Sequence, residues 1–152
     1  LFAGTLRDNL IFGMIGISDE QIIEAAKLSG LIGLINALPN GLDTVVPEGG
    51  ESVSGGQKQL IALTRMIVAN KKIILLDEPT ASMDEGTEKQ IITMLKNRMD
   101  SNQTMIVVTH KPIVLNMVDR IIVLTPNGIA IDDTKEEVLN KLSAPKNIVA
   151  KV

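Results

Sequence analysis

The amino-acid sequence predicts an α/β fold in which a helical part is followed by a part built around a partly parallel sheet. Up to about residue 69, apolar residues recur at the spacing of a helix face. From residue 70 onward, short continuous apolar runs alternate with a helical pattern, which is typical of parallel strands and their crossover helices. We therefore expect a helical subdomain over residues 1–69, an α/β part over 70–143 and a loose tail over 144–152.

The helical part contains three predicted helix starts. Thr5 can cap a short turn, and Ser18 with Gln21 forms a capping box, in which each side chain bonds the other residue's backbone N–H. The apolar stripe that follows this box consists of Ile22, Ile23, Ala26 and Leu31. Residues 44–53 are too rich in Gly and Pro to form an element, and the third helix should run from 54 to 69.

The α/β part is predicted to hold two strands that are buried on both faces. Ile73–Leu76 and Met105–Val108 are uninterrupted apolar runs, which is the pattern of strands inside a parallel sheet. A helix at 85–99 follows the first run, with Glu85 and Lys89 paired on its outer side. The remaining predicted elements are a short helix at 112–118, a hairpin with strands at 121–124 and 129–131, and a helix from 134 to about 142.

Composition excludes several classes of function. The chain has 152 residues, a net charge of −3 and no Cys, so it offers no disulfides, thiolate metal sites or cysteine nucleophiles. The acidic balance and the lack of Trp and Tyr argue against a nucleic-acid partner, which needs cationic and stacking surfaces. No apolar run approaches the ~18 residues of a membrane span, so we expect this fragment to be soluble.

Two adjacent acids, Asp77 and Glu78, follow the first predicted strand. In α/β proteins ligands bind at the carboxyl ends of parallel strands, so both carboxylates are expected at that edge of the sheet. Because successive side chains diverge, one acid can hold Mg²⁺, directly or through water, while the other orients an attacking water. An acidic turn after a strand is the alternative interpretation of this pair.

The segment Ser54-Gly55-Gly56-Gln57 lies at the start of a predicted helix. Ser is a favoured N-cap, and two Gly residues let backbone N–H groups approach an anion with no side chain in the way. These features predict a helix N-terminus that faces a phosphate. A Gly-rich loop with an ordinary Ser cap is the alternative.

His110, the single histidine, follows the second predicted strand. If the two strands are parallel neighbours, His110 lies at the same edge as Asp77 and Glu78, where an imidazole can hydrogen-bond a terminal phosphate. A histidine at a strand end is also commonly a surface or capping residue, so this position does not decide the function by itself.

Taken together, the order and spacing of these motifs resemble the ATP-binding cassette (ABC) ATPase family. Val53–Gln57 resembles the signature motif of the family, and Ile73–Asp77 resembles its Walker B strand. Glu78 stands at the catalytic-glutamate position, Ala81–Asp84 at the D-loop and His110 at the switch histidine. The resemblance covers most of the chain and implies a helical subdomain followed by the distal half of a P-loop ATPase core.

Further stretches are similar to those of ABC exporters. The opening segment Leu1–Leu10 is similar to the residues that follow the Q-loop, and Glu48–Glu51 is similar to the X-loop, which faces the coupling helices of the transmembrane domain. Thr80–Asp84 resembles the corresponding stretch of bacterial type I secretion and toxin or peptide exporters. Leu60 and Thr64 depart from the family, which more often has Arg and Ala at these positions.

The resemblance implies a motor in which two nucleotide-binding domains sandwich ATP head to tail. The signature residues that would contact the γ-phosphate of ATP held by the partner domain are Ser54, Gly55, Gly56 and Gln57. Asp77 would support Mg²⁺ through water, Glu78 would polarise the lytic water, and His110 would contact the γ-phosphate in its own subunit. Asp84 would cross the dimer interface, and residues near Glu48–Glu51 would contact the transmembrane domain.

The sequence contains no Gly-x-x-x-x-Gly-Lys-Ser/Thr motif, so we expect the phosphate-cradling P-loop upstream of Leu1. The full-length protein is then expected at the cytoplasmic face of the inner (plasma) membrane. We expect the chain alone to bind ATP negligibly, not to hydrolyse it, and to self-associate through strands that lack neighbours. Two other functions fit the motifs: a soluble ABC-type ATPase in DNA repair or translation, and a catalytically silent module that offers only a signature surface. The sequence does not identify the transported substrate.

Overall fold

The computed structural model describes residues 1–143, in which short strands are interspersed with helices. Contacts divide the chain into two compact units, Leu1–His110 and the residues from Lys111 onward. The elements of the first unit are β1 Gly4–Thr5, α1 Leu6–Leu10, α2 Asp19–Ser29, α3 Ile32–Ala37, β2 Val45–Val46, α4 Gly55–Ala69, β3 Ile73–Asp77, α5 Glu85–Arg98 and β4 Thr104–Val108. The elements of the second unit are β5 Arg120–Thr125, β6 Gly128–Thr134 and α6 Lys135–Ser143.

The predicted α/β class is confirmed, with helices and both parallel and antiparallel strand pairs. Turns of 3₁₀ helix occur at Gly41–Asp43, Glu48–Gly50 and Pro112–Met117. The subdomain boundary predicted after residue 69 stays a prediction, and the predicted tail at 144–152 lies outside the described residues.

The helices of residues 1–69 enclose one apolar cluster. Thr5 caps α1 and Ser18 caps α2, each in a complete capping box, as the sequence predicts. The buried members of the cluster are Leu6, Leu10, Ile22, Ala26, Leu31, Ile35, Leu42, Val46 and Ile61. Since burial of one such Leu or Ile side chain contributes roughly 1.5–3 kcal/mol, this cluster is the main source of stability for the helical region.

Buried and partly buried hydrogen bonds also connect helix α4 to α2 and α1. The Ser29 and Thr64 hydroxyls lie 2.7 Å apart, and Thr64 Oγ1 also donates to the Leu60 carbonyl at 2.7 Å. Arg65 Nε donates to the Asn9 carbonyl at 2.6 Å. The hydroxyl pair gives a structural reason for Thr at position 64, because a buried hydroxyl needs a hydrogen-bond partner and Ser29 supplies it.

The loop predicted at 44–53 contains a strand that the sequence analysis did not foresee. Val45 and Val46 form β2, which pairs antiparallel with β1 and places Val46 opposite Gly4. Val46 is buried in the apolar cluster, which explains why this short pairing persists. The expectation that residues 44–53 contain no regular element was therefore wrong.

Strands β3 and β4 pair in parallel, with Asp77 opposite Val108. This confirms the predicted pairing, but the expectation that both strands are buried on both faces was wrong. Ile74 is buried, whereas alternate residues on the opposite face are exposed, with Leu75 72% accessible. The exposed apolar face consists of Ile73, Leu75, Ile106 and Val108. A parallel sheet is buried on both faces only where other elements pack on each face, and here the face with Leu75 is exposed.

The second unit is a hairpin followed by a helix. β5 and β6 pair antiparallel, with an irregularity between Val123 and Leu124, and the pairing confirms the predicted hairpin. Arg120 holds Asp132 across the two strands through two hydrogen bonds of 2.7 and 2.8 Å. Thr134 accepts a hydrogen bond from the Glu137 N–H at 3.4 Å, which agrees with the predicted helix start.

Candidate functional site

The carboxyl end of β3 carries the two predicted acids in different backbone conformations. Asp77 ends the strand and is exposed, whereas Glu78 has a φ of 43°, in the left-handed region. The Glu78 N–H still donates to the Val108 carbonyl at 2.9 Å, so the turn begins within the ladder. A non-glycine residue held in this region costs of order 1–3 kcal/mol, and such residues concentrate at functional sites. The strain therefore distinguishes Glu78 from an acid in an ordinary surface turn.

The Glu78 carboxylate is fixed by the end of β4. Its Oε1 accepts hydrogen bonds from the His110 backbone N–H at 3.1 Å and from His110 Nδ1 at 2.7 Å, and its Oε2 accepts one from Thr109 Oγ1 at 3.2 Å. Because a carboxylate accepts, the Nδ1 of the imidazole carries the proton in this arrangement. The hydrogen bond from the His110 side chain is the main cause that holds the pKa of Glu78 below its usual range, with the Thr109 hydroxyl adding to it.

The predicted neighbourhood of Glu78 and His110 is thus present in the structure. Asp77 lies at the same strand end, as the parallel register with Val108 requires. Its exposed carboxylate offers the hard oxygen donor that Mg²⁺ prefers. Among residues 1–143, no group of three or more His, Cys, Asp or Glu side chains is arranged to hold a metal ion.

The predicted phosphate-facing segment lies at the tip of α4. Ser54 is the N-cap, with its Oγ accepting from the Gln57 N–H at 3.2 Å, while Gln57 Oε1 accepts from the Ser54 N–H at 2.8 Å. This capping box engages both polar side chains with the backbone. The first N–H groups of a helix have no partner within it, so the tip keeps donors and the positive end of the helix dipole for an anion.

Gly55 and Gly56 pack closely against the loop that follows Glu78, where a Cβ would be crowded. A Cβ on Gly55 would lie 3.2 Å from Ser82 Cβ and Oγ, and a Cβ on Gly56 would lie 3.0 Å from the Ser82 carbonyl oxygen. Neither glycine is buried, so their backbone stays accessible from outside. The glycines therefore serve two purposes, a close approach to Ser82 and an unobstructed helix tip.

Asp84 lies in the same neighbourhood as the helix tip. It caps α5, accepting from the Thr87 N–H at 3.0 Å and from Thr87 Oγ1 at 2.6 Å, and the hydroxyl bond is the main cause that lowers its pKa. A groove of about 410 Å³ is lined by Ser54, Gly55, Gly56, Gln57, Leu60, Ser82, Met83, Asp84 and Thr87. A larger groove of about 730 Å³ between α2 and α5 is lined by none of the predicted site residues.

The predicted site residues form two groups. One consists of Glu78 and His110 in direct contact, with Asp77 at the same strand end. The other lines the groove and joins the α4 tip, 54–57, to Asp84.

Sequence reasoning missed Thr109 and Gln59 as members of this region. Thr109 follows a strand and has no distinguishing pattern, although its proximity to His110 in sequence could have suggested it. Gln59 Nε2 donates to the Glu78 carbonyl at 3.2 Å, and Gln59 Oε1 accepts from the Ser82 N–H at 3.0 Å. In the sequence, Gln59 is one polar residue among polar and apolar neighbours on a predicted helix, and this pattern does not single it out.

A family model described as ABC transporter matches residues 3–81 of the chain. The uncharacterized ABC transporter ATP-binding protein YwjA of Bacillus subtilis is 41% identical over 129 residues, which is 85% of this chain and 22% of that protein. The ATP-dependent lipid A-core flippase of Desulfotalea psychrophila is 36% identical over 139 residues, which is 91% of this chain and 24% of the flippase.

Among solved structures, a bacterial Atm1-family ABC exporter with ATP bound matches with a TM-score of 0.84 and 33% identity, over 95% of this chain and 25% of the exporter chain. The chain therefore spans about a quarter or less of the length of these proteins. Within residues 1–143, every helix is too short or too polar to cross a membrane. From the motifs, the fold and these matches, we conclude that the chain belongs to the ABC transporter family, as part of a nucleotide-binding domain with exporter relatives.

Proposed function

We propose that this chain contributes the signature, Walker B and switch segments of a nucleotide-binding domain that hydrolyses ATP to power a membrane exporter. The observation that carries the proposal is Glu78, held in a left-handed conformation at a strand end with its carboxylate bound by His110. The narrower likeness to toxin or peptide exporters stays a prediction, as does the division into a helical subdomain, 1–69, and a distal core part, 70–143.

Glu78 is suited to polarise the attacking water. A carboxylate has about four lone-pair positions, and within residues 1–143 three donors occupy Glu78: the His110 N–H, His110 Nδ1 and Thr109 Oγ1. One acceptor position therefore remains for a water molecule. The lowered pKa keeps the carboxylate ionised across the neutral range, so it can accept a hydrogen bond from the attacking water and orient it.

His110 has a role that follows from the same contact. Glu78 engages its Nδ1, so Nε2 is the nitrogen left to contact a terminal phosphate, and it donates to a phosphate oxygen only when it also carries a proton. Asp77 would hold Mg²⁺ through water, and the ion when bound supplies positive charge to the phosphates. Positioning and charge stabilisation of this kind account for most of the catalysis in phosphoryl transfer.

The α4 tip would act on ATP held by a second nucleotide-binding domain. Backbone donors at Gly55 and Gly56, together with Ser54 and Gln57, would bind the γ-phosphate, since the accessible helix N-terminus favours an anion. Asp84, which lines the same groove, would lie at the interface between the two domains. Residues near Glu48–Glu51 would contact the transmembrane domain, and the full-length protein would lie at the cytoplasmic face of the inner membrane.

Glu78→Gln in the full-length protein tests the proposal. Removing a general base lowers turnover by about 10²–10⁴-fold, so ATPase activity should fall at least a hundredfold while ATP binding is retained. Glu85→Gln is the matched control, because Glu85 is an exposed acid paired with Lys89 on α5. Unchanged turnover in Glu78→Gln would refute the proposed role.

The 152-residue chain alone should bind ATP negligibly and should not hydrolyse it. It carries no Gly-x-x-x-x-Gly-Lys-Ser/Thr motif, which in P-loop proteins cradles the phosphates. Phosphate release from purified chain, measured beside its Glu78→Gln variant, checks this. Turnover that disappears in the variant would contradict the expectation.

A further inference from the structure

We infer that Gln59 is a positioning residue that couples the α4 tip to the catalytic position Glu78 through a single side-chain amide. The inference rests on the proposed function and adds a residue to it. Gln59 lies on α4, one turn after Gly55, and is half-buried. Its two hydrogen bonds lead to the two ends of one short loop, at Glu78 and at Ser82.

The orientation of the Gln59 amide is fixed by its partners. The Glu78 carbonyl can only accept and the Ser82 N–H can only donate, so Nε2 must face Glu78 at 3.2 Å and Oε1 must face Ser82 at 3.0 Å. An amide rotated by 180° would bring like groups together at both ends. Only a primary amide of this length satisfies both partners at once.

The Glu78 carbonyl is otherwise held by its own turn. It accepts from the Ala81 N–H at 3.1 Å, so the Gln59 bond completes its two lone pairs. The left-handed backbone of Glu78 persists only if its surroundings hold it. His110 and Thr109 hold the carboxylate from β4, and Gln59 holds the carbonyl from α4.

The far end of the loop is in contact with the helix tip. Gly55, Gly56 and Gln59 lie on one face of α4, at spacings of three and four residues, and all three meet Ser82. A displacement of the α4 tip therefore moves Ser82 and, through Gln59, the Glu78 backbone. In the proposed function the tip contacts one ATP and Glu78 acts on another, so Gln59 links the two sites.

The test uses two variants of the full-length protein. Gln59→Met keeps the length of the side chain and removes both hydrogen bonds. Gln59→Glu keeps an acceptor for the Ser82 N–H but turns an oxygen toward the Glu78 carbonyl oxygen. Gln90→Met and Gln90→Glu are the matched controls, because Gln90 is an exposed glutamine on α5.

We expect both Gln59 variants to lower kcat about tenfold, since one hydrogen bond contributes up to that factor, while KM for ATP changes less than twofold. Their Tm should lie no more than a few degrees below that of the Gln90 controls, because the loss of one or two hydrogen bonds lowers the free energy of unfolding only modestly. Amide hydrogen exchange at Ser82 should accelerate in Gln59→Met but not in Gln59→Glu, which separates the two hydrogen bonds independently of activity.

Three results would overturn the inference. The first is a kcat in the Gln59 variants equal to that of the Gln90 controls. The second is a loss of kcat that only follows a loss of folded protein, which would make Gln59 a structural link. The third is an exchange rate at Ser82 that Gln59→Met leaves unchanged. If Glu78→Gln leaves turnover intact, the proposed function fails and this inference with it, whereas loss in Glu78→Gln beside normal Gln59 variants rejects the inference alone.

Discussion

The helical region and the β3–β4 sheet differ in how completely their apolar side chains are buried. In the helical region, helices on several sides enclose an apolar cluster whose members, such as Leu10 and Ile61, are fully buried. In the sheet, only one face is covered, and Leu75 and Ile106 remain exposed on the other. Exposed apolar surface of this kind is typical of surfaces that bind another protein segment.

Within this unit, the residues that stabilise the fold and the residues of the candidate site therefore lie in different regions. The helical region derives its stability from its own residues, whereas the strand ends that carry Asp77 and Glu78 belong to a sheet with an uncovered face. Truncation of a large apolar side chain should therefore lower the free energy of unfolding more in the helical region than on the exposed sheet face. The following predictions test this asymmetry, beginning with the largest expected effect.

Ile61→Ala should destabilise the chain by about 2–5 kcal/mol, because Ile61 is fully buried in the cluster and truncation leaves a cavity. Leu75→Ala should change the free energy of unfolding by less than about 0.5 kcal/mol, because the side chain is exposed. Urea denaturation of the two variants measures both values. The measurement is made at a protein concentration below that of self-association, and equal losses there would contradict the difference between the two regions.

The exposed sheet face should cause self-association of the chain. Burial of one large apolar side chain contributes roughly 1.5–3 kcal/mol, so Leu75→Lys should raise the concentration for half-association about tenfold or more. Light scattering over a concentration series measures this. Leu28→Lys, at an exposed apolar position on α2, is the control and should leave association unchanged. A wild-type chain that stays monomeric at high concentration would contradict the prediction.

Two equivalent helix caps should lose similar stability on mutation but differ in their effect on ATPase activity. Ser18 and Ser54 form equivalent capping boxes, so Ser18→Ala and Ser54→Ala should each cost about 1 kcal/mol of stability. In the full-length protein only Ser54→Ala should also lower ATPase activity, because Ser54 lines the groove and Ser18 does not. Thermal unfolding and phosphate release measured on the same samples separate the two effects. An equal loss of activity in Ser18→Ala would contradict the proposal that the α4 tip contacts ATP.

Features encoded by neighbouring residues were predictable from the sequence. A capping box depends on residues three apart, so the Ser18 and Ser54 boxes could be predicted directly. The parallel pairing of β3 with β4 followed from two apolar runs around one helical pattern, and it placed His110 near Glu78 as expected.

Features that join distant residues and have no pattern in the local sequence were not predictable. The β1–β2 pair joins Gly4 to Val46, and two residues are too few for a periodic signal. The exposed face of β3 was missed because an apolar run does not reveal which neighbours cover it. Gln59 bonds residues 19 and 23 positions away, and nothing in its local sequence distinguishes it from a surface glutamine.

The smallest expected effect concerns the ionisation of Glu78 compared with Asp8 in the helical region. The His110 hydrogen bond is the main cause of the lowered pKa of Glu78, and the Thr5 hydroxyl is the main cause for Asp8. A carboxylate whose pKa is lowered in the folded state contributes stability above its unfolded pKa, and this contribution disappears as pH falls through the folded value. His110→Ala should therefore raise the midpoint of Glu78 in an NMR titration and leave that of Asp8 unchanged. If the Glu78 midpoint does not move, its carboxylate is not held by His110 in solution, and the geometry on which the water-polarising role depends is absent.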